Sequence, residues 1–261
     1  MPRITMKPDT LNERNAEFDQ ALLQSPVFLN SVPKCGTHLL RNIMRMFVPV
    51  EQQYHDTFIQ IPMLRNHLRP FSQQAPMLSW GHLLFSDDSA IALRDVRQVL
   101  LVRDPYDWVL ARARFFLSDN FDGATQHLRD GRADMLDILN MMIFGIHQKV
   151  PTLEEIYRFN AVSWLGTSVK LLRYEELVAQ VKDIHSRRAE SYFADLFDHC
   201  GMTLPDDWRK RVEIGSDRAQ SGTARENLGV EQDLVPDSLP EQQKRLVDYA
   251  APGLRQVLGY T

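Results

Sequence analysis

Between Ser31 and Leu40 the chain reads SVPKCGTHLL, which places one lysine, one glycine, a threonine and a histidine between two apolar runs. Each of these types suits an anion. Lys34 carries a full positive charge, and Gly36 lets the backbone approach a ligand closely. Thr37 is a residue type that caps a helix and donates a hydroxyl, and His38 has a ring N–H to donate. If a helix begins here, its first backbone N–H groups have no partner within it and its dipole favours negative charge. The layout is that of a phosphate cradle. It is not a Walker A loop, in which the lysine follows the second glycine, so an ATPase or nucleotide kinase is disfavoured.

The elements that must hold this loop are legible from the apolar pattern. Val27 to Asn30 reads as a buried strand, and Leu39, Leu40, Ile43, Met44 and Phe47 make one helical stripe. Met77 to Trp80, Gln98 to Val102 and Val169 to Leu172 read as further buried strands, each followed by a short polar turn and a helical pattern. That alternation predicts an α/β fold in a single domain spanning residues 1–261, with a central parallel sheet flanked by helices. Residues 1–24 read as an N-terminal extension. Ligands of such sheets bind beyond the carboxyl ends of the strands. The residues there are Lys34 to His38, Gly81-His82, Arg103-Asp104-Pro105 and Arg173-Tyr174.

Composition bounds the class. The chain has 261 residues, 44% hydrophobic, enough to bury a large core, and 30 basic against 34 acidic residues give a net charge of −4. That balance points away from nucleic acid and from a charged membrane surface. No apolar stretch is long enough to span a membrane and residues 1–24 are too polar for a signal peptide, so the expected location is cytoplasmic. Cys35 and Cys200 have no CxxC partner, and the histidines show no metal-ligand spacing, so neither a disulfide framework nor a metal site is expected. Nothing in the sequence speaks to oligomeric state.

Taken in order, the post-strand segments resemble the sulfotransferase family that uses 3'-phosphoadenosine 5'-phosphosulfate (PAPS) and releases adenosine 3',5'-bisphosphate (PAP). VPKCGTHLL is similar to the family's 5'-phosphosulfate loop, with Lys34, Gly36 and Thr37 in place. VRDPYDWVLARARFF is similar to its 3'-phosphate segment, with Arg103, Asp104, Pro105 and Asp107 in place. WGHLLFSDD resembles the strand end that carries the family's catalytic histidine, here His82, and LLRYEELV resembles the segment that contributes Tyr174 to the adenine site. RAQSGTARENL is a weaker match to the C-terminal nucleotide loop: Arg218, Gly222, Arg225 and Leu228 fit, while Ala219 and Ala224 replace a glycine and a tryptophan. The matches run from residue 26 to about residue 230. The resemblance implies a P-loop-like sulfotransferase fold, PAPS as co-substrate with PAP as product, no metal, and a small-molecule acceptor. It makes His82 and Lys34 catalytic, and assigns nucleotide binding to Lys34, Cys35, Gly36, Thr37, His38, Arg103, Tyr174, Arg218, Gly222 and Arg225.

Sulfuryl transfer asks for positioning, a base and charge stabilisation. An imidazole suits the base, since it titrates near neutrality and can take the proton of a hydroxyl or amine. Lys34 then stabilises the leaving phosphate, and the planar fork of Arg103 suits a terminal phosphate. Several positions depart from the family pattern. Cys35 replaces a hydroxyl donor, Leu39 replaces an aromatic and Trp80 stands where a basic residue is usual. Ala111 replaces the 3'-phosphate serine, leaving Arg112, Arg218 or a backbone group to compensate.

Plainer readings stand beside these. A lone lysine in a turn is ordinarily solvated, a lone histidine is ordinarily a hydrogen-bonded structural residue, and Arg103-Asp104-Pro105 is also a helix start with Asp104 capping. Tyr174 suits packing as well as adenine. Phe58, Met63, Phe85, Phe115, Phe116, Met141 and Met142 could line an apolar acceptor pocket, with core packing as the default. Two other functions fit parts of the pattern. One is a nucleotide-binding module without turnover, suggested by Ala111 and Trp80. The other is a cysteine-dependent phosphatase built on the spacing of Cys35 and Arg41, although the usual flanking residues are missing.

Overall fold

The computed structural model describes residues 3–4, 8–118, 121–122, 128, 132–220 and 235–261. The backbone falls into two compact units, one made of Pro8–Val102 with Phe159–Ser221 and the other of Met1–Lys7, Arg103–Arg158 and Gly222–Thr261.

The first unit contains the sheet. Its strands are Val27–Ser31, Leu78–Gly81, Arg97–Val102 and Lys170–Arg173, each within a residue or so of the apolar run that predicts it. All pair in parallel, with the Val27 strand between the Leu78 and Arg97 strands and the Lys170 strand outermost beyond Arg97. Every residue of Val27–Ser31 and of Leu78–Gly81 is buried, the pattern of strands covered on both faces. Asn30 pairs with Gly81 on one side and Leu100 on the other, and Val102 pairs with Arg173, so the carboxyl ends lie level. The chain leaves the Val27 strand toward one neighbour and reaches its other neighbour later. The end of the Val27 strand is therefore the topological switch point, where a ligand crevice opens.

The segment after the Val27 strand forms the helix Thr37–Arg45, whose Leu40, Ile43 and Met44 are buried as the stripe requires, while Leu39 remains partly exposed. Across its carboxyl end lies the part of the chain expected to be an extension. Leu11 is fully buried, the Asp9 carboxylate takes Arg45 at 2.8 and 3.1 Å, and Asn15 Nδ2 donates to the carbonyls of Arg45 and Val48. Gln53 donates to the same two carbonyls and accepts from Arg45 Nε. The helix-terminal carbonyl of Arg45 and that of Val48 just beyond the helix are thereby satisfied, and residues from Pro8 onward are integral to this unit. A second helix, Trp208–Ser216, packs on the first at Gly215. A Cβ there would lie 2.6 Å from Ile43 Cα and 2.7 Å from the Asn42 carbonyl oxygen.

In the second unit the helix Pro105–Leu117 begins as the plainer reading expects: Pro105 is in the first turn, and the Asp104 carboxylate accepts from Tyr106 N at 3.0 Å. Arg255 grips the same carboxylate at 2.9 and 3.1 Å. Arg112 is not available to replace the serine missing at Ala111. Its guanidinium donates to the carbonyls of Met142 and Pro151, both at 2.8 Å, and lies over the Trp108 ring. Burial pulls its pKa down to about 10. Phe115, Phe116 and Met142 are core residues, so the default reading holds for them.

Gly215→Ala tests the helix contact. With backbone atoms on the far side, relaxation requires one helix to shift, and the expected loss is about 1–3 kcal/mol of unfolding free energy, read from urea midpoints. An unchanged midpoint would mean that the helices do not approach this closely.

Candidate functional site

The loop after the Val27 strand takes its shape from backbone conformations that few residues accept. Lys34 has φ +69° and Gly36 has φ +91°, both left-handed. Lys34 bears the cost of that conformation, whereas Gly36 does not. Gly36 is also where the Tyr174 ring comes down on the loop: a Cβ at residue 36 would lie 2.4 Å from Tyr174 Cδ2. Tyr174 therefore packs on the loop glycine.

Thr37 does not cap the helix. Gly36 occupies the cap position, no side chain caps the first turn, and Thr37 is the first helical residue. Its hydroxyl instead pairs with Ser31 Oγ at 2.7 Å. The reason is the left-handed Gly36, which turns the chain one residue earlier than a threonine cap would. The helix thus starts with N–H groups uncapped by side chains, beside the charge of Lys34, an arrangement that suits an anion.

His82 stands just past the end of the neighbouring strand. Its Nδ1 lies 2.7 Å from the Ser31 carbonyl oxygen and 3.3 Å from Ser31 Oγ. A carbonyl only accepts, so Nδ1 carries the proton and Nε2 holds the lone pair. The surrounding protein lowers the His82 pKa to about 4, through burial first and with a smaller push from Lys34, against the opposing pull of the Ser31 carbonyl. The residue nonetheless keeps some accessible surface. His38 is lowered to about 3, again chiefly by burial and then by Arg41, Lys34 and His82. Both imidazoles are neutral at pH 7.

The strand end that carries His82 is held by residues the sequence did not single out. Asn30 Oδ1 accepts from Leu83 N at 2.9 Å while its Nδ2 donates to Leu83 O at 3.1 Å. Asn160 Nδ2 donates to Asn30 Oδ1, and Trp164 Nε1 donates to Leu83 O. On the other side His82 N donates to the Ile59 carbonyl, which passes so close to Gly81 that a Cβ would lie 2.1 Å from it. The only signal in the sequence is a polar Asn30 ending an otherwise apolar strand. Phe58, from the candidate acceptor group, packs its ring 4.6 Å from that of His82. Phe85 instead packs on Trp164.

Lys34, Gly36, Thr37, His38, His82 and Tyr174 are thus gathered at one end of one unit. Cys35 also lies in the loop, but it is wholly buried. Arg218 is exposed on a short turn of the same unit, whose Gln220 binds Thr10 and Asn42. Gly222 and Arg225 lie outside the described residues. Arg103 belongs to the other unit, where its carbonyl accepts from Tyr157 Oη at 2.8 Å.

No protein-family model matches the chain, and no curated protein matches it in sequence. Among solved structures it is similar to mouse sulfotransferase SULT7A1 complexed with PAP, at 15% identity over 94% of this chain and 88% of that one, with a TM-score of 0.60. It is also similar to retinol dehydratase in complex with androsterone and the inactive cofactor PAP, at 13% identity over 92% and 82% of the two chains, with a TM-score of 0.47. The likeness to the mouse protein establishes the sulfotransferase fold, with its central parallel sheet flanked by helices.

The His82 geometry makes a spectroscopic prediction. Nitrogen-detected NMR should find its Nδ1–H tautomer, with no titration between pH 6 and 8. Because His82 and His38 have folded pKa values below the ordinary 6.5, the unfolded chain binds more protons as pH falls from 6.5 toward 4, and stability falls with it. A His82 resonance titrating near pH 6.5 would contradict the buried, carbonyl-bonded ring.

Proposed function

We propose that this protein is a sulfotransferase that moves a sulfuryl group from PAPS to a hydroxyl or amine of a small-molecule acceptor. The observation that carries the reading is the His82 Nδ1–Ser31 carbonyl hydrogen bond of 2.7 Å, which leaves Nε2 as a lone-pair base beside the Lys34 loop. A fold by itself does not define an activity. Here the sulfotransferase fold, the loop segments that resemble the PAPS-dependent family and the tautomer of His82 all point to the same chemistry.

The residues present fit the nucleotide. A helix start without a side-chain cap, a left-handed glycine and an adjacent lysine make a cradle for the 5'-phosphate, and Tyr174 lies against that loop. Bound there, PAPS supplies the activated sulfuryl group. His82 Nε2 takes the acceptor proton as the acceptor oxygen or nitrogen bonds to sulfur. The Lys34 ammonium stabilises the charge left on the phosphate oxygen as its bond to sulfur breaks. At a pKa of about 4 His82 is a weak base in the free protein. An anion beside Lys34 offsets the smaller, Lys34 part of that lowering and shifts the His82 pKa upward, while the burial that causes most of it remains. The 3'-phosphate falls to Arg103 and Arg218 by sequence resemblance alone.

The phosphatase alternative loses its nucleophile, since Cys35 is wholly buried and a reactive thiolate needs access. Cys35→Ser should therefore leave activity near the wild-type level.

Calorimetry should find PAP bound about 10- to 150-fold more tightly than AMP, the value of about 1.5–3 kcal/mol for a charge-assisted contact. Equal affinities would remove the donor assignment. Arg103→Ala should abolish that preference in a protein that still folds.

With labelled PAPS and an aliphatic alcohol or amine acceptor, His82→Ala should lower turnover by about 10²- to 10⁴-fold while leaving PAP affinity nearly unchanged. Lys34→Ala should weaken both turnover and PAP affinity. Wild-type turnover in His82→Ala would defeat the mechanism. PAP binding with no transfer by the wild-type protein would leave a nucleotide-binding module.

A further inference from the structure

The helix Thr37–Arg45 carries His38, Arg41 and Arg45 on one face, since residues three, four and seven apart lie above one another. Two of the three are cations at pH 7. Asp9 is the carboxylate within their reach, and it is taken by Arg45 in a two-point ion pair. Asp9 acts on Arg41 only at longer range, and among the described residues no other acid acts on it; Asp56 acts instead on Tyr54 and exposed His55. Among the described residues, Arg41 makes no hydrogen bond and no ion pair, and its Nε is buried without a partner. Its guanidinium lies flat over the Trp80 ring at 4.1 Å. Burial and the neighbouring Arg45 pull its pKa down to about 10, so it stays charged at pH 7. One positive charge in this cluster is therefore uncompensated and partly accessible.

Its surroundings show what it faces. Trp80 lies in the strand Leu78–Gly81, and His82 follows that strand two residues on. Phe58 packs on the His82 ring and His55 on the Trp80 ring, 5.6 Å between centroids. His38 lies within electrostatic reach of Arg41, Lys34 and His82 together. Arg41 thus stands one helical turn beyond the uncapped helix start, on the side of Trp80 rather than of the loop backbone. Stacked on an indole, a guanidinium keeps its edge donors free for a planar oxyanion.

Taking His82 as the acceptor's base, we propose that Arg41 is the anion-binding element of the acceptor site, and that the acceptor carries a carboxylate which pairs with Arg41 while its hydroxyl or amine meets His82. A monoanion matches the single uncompensated charge, and the partly exposed Phe58 ring beside His82 suits an aromatic or other flat body between the two ends.

The test uses 4-hydroxybenzoate, 4-hydroxyphenylacetate and 3-(4-hydroxyphenyl)propanoate, each against its methyl ester, titrated calorimetrically into the full-length protein with and without PAP. At least one acid should bind ten-fold or more tightly than its ester. Arg41→Met should reduce that preference to two-fold or less while PAP affinity stays within two-fold, and Arg41→Lys should keep an intermediate preference. Acids and esters that bind alike throughout the series would overturn the proposal, as would an acid preference that survives Arg41→Met. A ten-fold loss of PAP affinity in Arg41→Met would assign the guanidinium to the nucleotide and overturn it too. If Arg41→Met fails to fold, the wild-type acid-to-ester ratio and Arg41→Lys decide. An intact acid preference in a protein that transfers no sulfate would support this subsite while defeating the sulfotransferase reading.

Discussion

Asn30 is buried at the end of the central strand, and both ends of its amide are taken up by the backbone of Leu83. A side chain here acts as one more rung of the sheet, continuing the pairing of the Val27 and Leu78 strands one step past the point where the backbones diverge. His82 sits between Gly81 and Leu83, so the rung helps to place its ring against the Ser31 carbonyl. Removing the Asn30 amide would leave the buried N–H of Leu83 unpaired, at about 1–3 kcal/mol, while the Leu83 carbonyl would keep its bond from Trp164 Nε1. Asn160 and Trp164 add further bonds to the same pair of residues, so the position is held from several directions.

The same economy of position governs the charges. One short helix presents its uncapped amino end, His38, Arg41 and Arg45 in succession, and each meets a different environment. Arg45 is neutralised by Asp9 and fastened by Gln53 and Asn12, which makes it structural. Arg41 is stacked but not neutralised, and His38 is kept uncharged chiefly by burial and then by the cations around it. Crowding positive charge in a partly buried place is unfavourable in the free protein. It is also the condition under which anions are held strongly, because the protein groups are already in place and poorly solvated.

Apolar periodicity and turn chemistry along the chain are local properties, and they determined the four strands, the helix after the first, and the loop between them. That is why the sheet was legible to within a residue or so, and why the segments after each strand could be picked out as the functional edge. The residue types of Lys34, Gly36 and His82 were legible for the same reason. What local pattern could not carry was any property set by residues far apart in sequence. Whether Thr37 or Gly36 caps the helix turned on a left-handed backbone beneath Tyr174. The tautomer of His82 depended on a carbonyl 51 residues away in sequence, and the supporting role of Asn30 on the strand register that brings Leu83 beside it. Arg112, read as a spare phosphate ligand, is committed to two carbonyls of its own unit. Arg41 drew notice only for its spacing from Cys35, and became a binding candidate once the fold set it on Trp80 and gave its nearest carboxylate to Arg45. Protonation state, charge balance and burial are sums over spatial neighbours, and only the tertiary structure chooses those neighbours.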